Sequence, residues 1–94
     1  MTLFWAAFEG NRESVRKLYS EAPCSTEELV EIFNNSLINN QISILSLLDD
    51  SLFSDFDISL LDSSIIRAVV NQRMAGADRI QILLRRGLKL SEFI

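Results

Sequence analysis

The chain is 94 residues long, 48% hydrophobic and 23% charged, with a net charge of −4; this is the make-up of one folded domain with one core, not of a disordered chain. It has no histidine and a single cysteine, Cys24, which excludes Ser-His-Asp and Cys-His catalysis, histidine-bound zinc and a stapled fold. No run approaches the roughly 20 apolar residues of a membrane span, and the start, Met1 to Trp5, lacks the basic flank and length of a secretory signal.

In chain order, the first apolar helix is predicted near 2–9 and stops at the polar break Glu9-Gly10-Asn11. Asn11 is the predicted N-cap of a second helix near 12–21, whose Val15, Leu18 and Tyr19 form an i, i+3, i+4 stripe. Pro23 and Cys24 make a connector, where the thiol is read as passive and as a sign of a reducing, cytoplasmic compartment. Ser25 with Glu28 has the form of a capping box opening a helix near 26–38. After the break Asn39-Asn40-Gln41, with Asn40 as predicted cap, comes a helix near 41–50 with the stripe Ile44, Leu47, Leu48. The run Ser51–Asp57 reads as a connector. A helix near 60–74, the break Ala75-Gly76-Ala77-Asp78 with Asp78 as cap, and a helix near 78–86 with the stripe Ile80, Leu83, Leu84 follow. Arg85-Arg86-Gly87 places cations in a last turn before a glycine stop. No stretch alternates at period two long enough for a sheet.

The stripes recur after 29 and then 36 residues, so the helices group into three helix–turn–helix units, approximately 1–23, 25–51 and 59–90, within a single domain 1–94. One such pair cannot bury its apolar face alone, whereas three stacked pairs can. The expected class is therefore all-α.

Charge is unevenly distributed. From Leu18 to Ile66 there is no lysine or arginine but nine acids, and residues 1–62 carry −8 against +4 for 63–94. Such a middle repels phosphates and argues against nucleic acid. It reads either as a solvated surface or as steering toward a partner that is basic where it meets the second unit. Arg67, Arg73, Arg79, Arg85 and Arg86 read as solvated helix faces, with rim contacts or a nucleic-acid patch as the alternatives, though no aromatic stacking platform accompanies them.

The segment Leu3 to Leu18 resembles an ankyrin repeat. Leu3, the pair Ala6-Ala7, Gly10-Asn11, Glu13, Val15 and Leu18 stand where that family has its leucine, paired alanines, glycine turn and outer-helix residues. The second unit is similar only through Ile32, Ser36 and Asn39, and the third through Ile80, Leu83, Leu84 and Gly87. The family's Thr-Pro opening and hairpin motif are missing throughout, so the resemblance implies a short ankyrin-like solenoid of three antiparallel helix pairs with hairpin fingers reduced or absent. It also places Trp5 at a core position.

The resemblance further implies a non-catalytic protein-interaction module that binds through the concave face of its inner helices, as adaptor or stoichiometric inhibitor. The variable positions before each turn would be Phe8-Glu9, Leu37-Ile38 and Arg73-Met74. For Phe8 and Leu37 a core role is the competing reading. The connector aromatics Phe53 and Phe56 are a second candidate contact, unless they tuck beneath the connector. The Ser-, Asn- and Ile-rich style is similar to ankyrin repeats of intracellular pathogens and large DNA viruses, which implies a host or companion effector protein as partner, reached by delivery into a host cell. No catalytic residue, metal or cofactor is expected. Two other readings stand beside this one: a homo-oligomer packed through its ends (Leu3, Phe4, Trp5, Leu90, Phe93, Ile94), and an enzyme holding a cation at Asp49, Asp50, Asp55 and Asp57.

Overall fold

The first helix, α1 (Leu3–Phe8), opens with Thr2 as N-cap, its Oγ1 accepting from the Trp5 N–H at 3.1 Å. Ala6 and Ala7 are buried and small, which lets α1 lie close to both α2 (Arg12–Glu21) and α3 (Thr26–Ile38). Asn11 caps α2 through the Ser14 N–H at 3.2 Å. Ser25 caps α3 through the Glu28 N–H at 3.2 Å. Both caps follow the local sequence, because each bonds only three residues ahead.

The α1 helix ends in a Schellman turn: Gly10 is left-handed at φ 75°, and the Asn11 N–H donates to the Ala6 carbonyl at 3.0 Å. The same turn ends α3, with Asn40 at φ 54° and the Gln41 N–H on the Ser36 carbonyl at 2.9 Å. Asn40 is thus the turn residue and not the cap of the next helix. Gly10 and Asn40 are 30 residues apart, one more than the stripe spacing gives. A third Schellman turn, at Gly87 with φ 95° and the Leu88 N–H on Leu83 O at 3.1 Å, closes α6.

The fourth helix is short. After α4 (Ile42–Leu45) the chain tightens into a 3-10 turn over Ser46–Asp49. Tightening eclipses residues three apart, and Ile44, Leu45, Leu47 and Leu48 are all buried because α4 lies beneath α3 with α2 and α6 at its sides. Two further 3-10 turns, Ser51–Phe53 and Ile58–Leu60, replace the expected start of a helix at 60. The fifth helix, α5 (Ser63–Asn71), starts at the Asp62 cap and stops at Gln72. Arg73 then turns left-handed at φ 57° into a 3-10 turn, Arg73–Gly76, before α6 (Ala77–Arg85). Asp78 lies inside the first turn of α6 and caps nothing.

The structure, a computed structural model, describes residues 2–93; Ile94 lies outside them. Its described residues are all helix, turn and loop, with no strand. Pairs α1–α2, α3–α4 and α5–α6 each pack together, and α1, α3 and α5 also pack in sequence as one layer over a second layer of α2, α4 and α6. A last 3-10 turn, Leu90–Phe93, folds back on α5. The assembly measures 39 × 23 × 19 Å. A single apolar core runs through both layers from Ala6 to Leu83.

Two arginines expected on solvated faces turn inward instead, Arg79 buried and Arg86 half-buried. Arg79 is buried, and its guanidinium donates to Leu37 O at 2.7 Å, Ala75 O at 3.2 Å and the Gln72 side chain. Arg86 donates to the carbonyls of Leu48, Phe53, Ser54 and Phe56. An irregular connector leaves carbonyls without ladder partners, and the five N–H groups of one guanidinium meet that need.

Candidate functional site

The equivalence of Gly10 with Asn40 resets which residues face outward. Phe8 corresponds to Ile38 and not to Leu37, and these two are 55% and 57% exposed. Leu37 corresponds to Ala7, and both are buried. Leu37 therefore offers no side chain to a partner. Phe53 and Phe56 are buried as well. Phe53 lies 4.6 Å from Tyr19 between ring centroids and meets Phe33 edge-on at 5.8 Å, while Phe56 lies 5.0 Å from Phe33. These contacts hold the connector down and remove both phenylalanines from the surface.

Trp5 is corrected in the opposite direction. It is 53% exposed, so no neighbouring helix covers it. Its indole stacks on the Phe8 ring, with centroids 5.4 Å apart and planes 6° from parallel. Phe4 is exposed beside them. Glu9 is exposed at the end of α1, Arg73 is exposed in its strained turn, and Met74 is 92% exposed.

Two shallow grooves flank the C-terminal part of α3. One, between α1 and α3, is lined by Phe4, Phe8, Ile32, Asn35 and Asn39. The other, between α3 and α5, is lined by Ile38, Ile65, Ala68 and Gln72. Ile32, Asn35 and Asn39 precede Ile65, Ala68 and Gln72 by the same 33 residues, so the grooves are repeats of one another on a single face. Gln41 fastens this edge by donating from Nε2 to Phe8 O, and Ser43 Oγ donates to Gly10 O at 3.1 Å. The structure thus joins Phe8 and Ile38 on one face, with Trp5 and Phe4 beside Phe8. Asn35, Asn39 and Gln72 were missed; the 30-residue turn spacing leads from Trp5 and Glu9 to Asn35 and Asn39, and the 33-residue spacing leads from Asn39 to Gln72.

The acids of the middle unit have other partners. Asp50 accepts from Leu52 N–H and pairs with Arg16 at 2.8 Å and Arg12 at 3.6 Å. The Leu52 N–H first, then the two guanidinium groups, hold its carboxyl below the usual range. Asp57 and Asp62 are lowered by hydrogen bonds from Ser59 and Ser64. Asp49 pairs with Arg85 at 2.8 Å, which raises the arginine. Among the described residues no three acids or thiols gather where a metal ion could be held. Burial, then the charge of Glu28, pushes the Cys24 thiol up, away from the thiolate that a nucleophile needs.

No described helix is long and apolar enough to cross a membrane. No family model, curated protein or solved structure matches the chain.

Proposed function

We propose that the chain is an ankyrin-like array of three helix pairs that works as a non-catalytic protein-interaction module, with the α1–α3–α5 layer as its inner, partner-binding face. The observation that carries this reading is the row formed by Trp5, Phe8 and Ile38, all more than half exposed, beside two equivalent grooves. Apolar side chains grouped in this way on an otherwise well-packed chain mark interaction surfaces. The ankyrin-like part rests on the Leu3–Leu18 motif, on buried Ala6 and Ala7, and on left-handed Gly10 followed by the Asn11 cap. The partner is a host or companion effector protein in a reducing, cytoplasmic setting, and the chain acts on it as adaptor or stoichiometric inhibitor.

A tagged pull-down with mass spectrometry tests the proposal, comparing wild type with Phe8→Glu plus Ile38→Glu after circular dichroism has shown both to be folded. A stoichiometric protein recovered by the wild type alone is the expected result. Recovery undiminished in the variant refutes this face.

One observation favours a second reading. The first helix of the stack, α1, leaves Phe4 and Trp5 exposed, and arrays with apolar ends self-associate. Sedimentation velocity decides it: a monomer at every concentration removes the homo-oligomer.

A further inference from the structure

We infer that the occupant of this face is a basic amphipathic segment of the partner protein; the inference rests on the interaction reading above and specifies its chemistry. It joins two observations: the apolar groove edge at Phe8 and Ile38, and an unneutralised charge on the same helix. One side of α3 runs Glu27, Glu31, Asn34, Ile38 at spacings of four, three and four, exposed except at half-buried Asn34, whose Oδ1 accepts from the Asp62 N–H at 3.0 Å, so its N-terminal half is acidic and its C-terminal end apolar. Of the acids in the span without lysine or arginine, Asp49 and Asp50 are paired with arginines, while Asp57 and Asp62 close their own turns. Glu27 and Glu31 are exposed, and among the described residues no cation pairs with either. Two helical turns, roughly 10 Å, separate Glu31 from Ile38.

A partner helix with a lysine or arginine two turns from its apolar anchors matches both halves at once. The cation answers Glu31 and Glu27, and the anchors enter the grooves beside Phe8 and Ile38. Charge complementarity of this kind sets orientation and association rate, and it turns away anionic surfaces such as nucleic acid.

The test is a titration of the full chain with two synthetic amphipathic peptides of about 18 residues, five helical turns, one Lys/Leu and one Glu/Leu, read by Trp5 emission. Wild type is expected to bind the Lys/Leu peptide saturably and the Glu/Leu peptide at least about tenfold more weakly. Glu27→Lys plus Glu31→Lys weakens Lys/Leu binding by about tenfold or more, and Glu27→Gln plus Glu31→Gln falls between. Glu21→Lys plus Asp55→Lys makes the same net-charge change elsewhere and stays within about twofold of wild type. Thermal melts confirm that each variant is folded. No saturable binding, equal binding of both peptides, or equal effects of the two charge reversals overturns the basic partner. In the last case, loss of binding in Phe8→Ser plus Ile38→Ser leaves the face itself standing, and its persistence removes the face as well.

Discussion

Two glycines separate steric demand from conformational demand. Gly76 has φ −97°, which any residue adopts, yet a Cβ there would meet Val69 O at 2.2 Å and Val69 Cγ1 at 2.9 Å. Val69 is buried on α5 and has nowhere to move. Gly87 is the reverse case, with φ 95° and nothing within 4 Å of an added Cβ. Gly76→Ala is therefore expected to cost about 2 kcal/mol or more by overpacking, and Gly87→Ala about 1 kcal/mol by backbone strain. Urea midpoints check the order, and a larger loss at Gly87 contradicts it. Residue-scale features were legible in the sequence where the partner is close along the chain. Asn11 and Ser25 bond three residues ahead, so their capping is visible in a short window. Arg79 and Arg86 look like any helix-surface arginine, because their main partners lie 42 residues away for one and 30 to 38 for the other.

At the scale of elements, α3 appears at its predicted span because a cap, an apolar stripe and a left-handed stop all agree. The α4 segment does not. Its apolar run is wider than a helical stripe, since it is enclosed by neighbours on several sides and finishes as a 3-10 turn. Aligning Ile44 with Val15 therefore shifts the second unit by one residue. That shift moves the outward position from Ile38 to Leu37, which is why one candidate contact proved to be core. The join between units also rests on Asp50, which is 11% exposed and held by Arg12 and Arg16 of α2. Its carboxyl titrates below the ordinary range, so the stability it lends is present above about pH 4 and is lost as pH falls through its own lower value. Asp50→Asn is expected to lower stability at neutral pH and to flatten the acid limb. Urea unfolding between acid and neutral pH checks this, and parallel curves for variant and wild type contradict it.

Across the whole molecule, the two ends of the stack differ. The residues after Gly87 fold back on α5 through Leu90–Phe93, whereas α1 carries Trp5 in the open. Trp5 is the one tryptophan of the chain, so its emission in dilute solution is expected to lie close to that of free indole and to shift blue when the face is covered. A blue emission that persists on dilution contradicts an open α1. The all-helical class was legible because periodicity at 3.6 residues survives degeneracy in the repeats. The uncovered side of α1 was not, since a repeat pattern assigns Trp5 a neighbour on each side.

The most direct measurement places a photoactivatable phenylalanine analogue at position 8, and separately at position 17 on α2, irradiates source-cell lysate, and maps the products by mass spectrometry. The account predicts one discrete foreign protein cross-linked from position 8 and none from position 17. Cross-links only to a second copy of the chain, or equal labelling from both positions, contradict it.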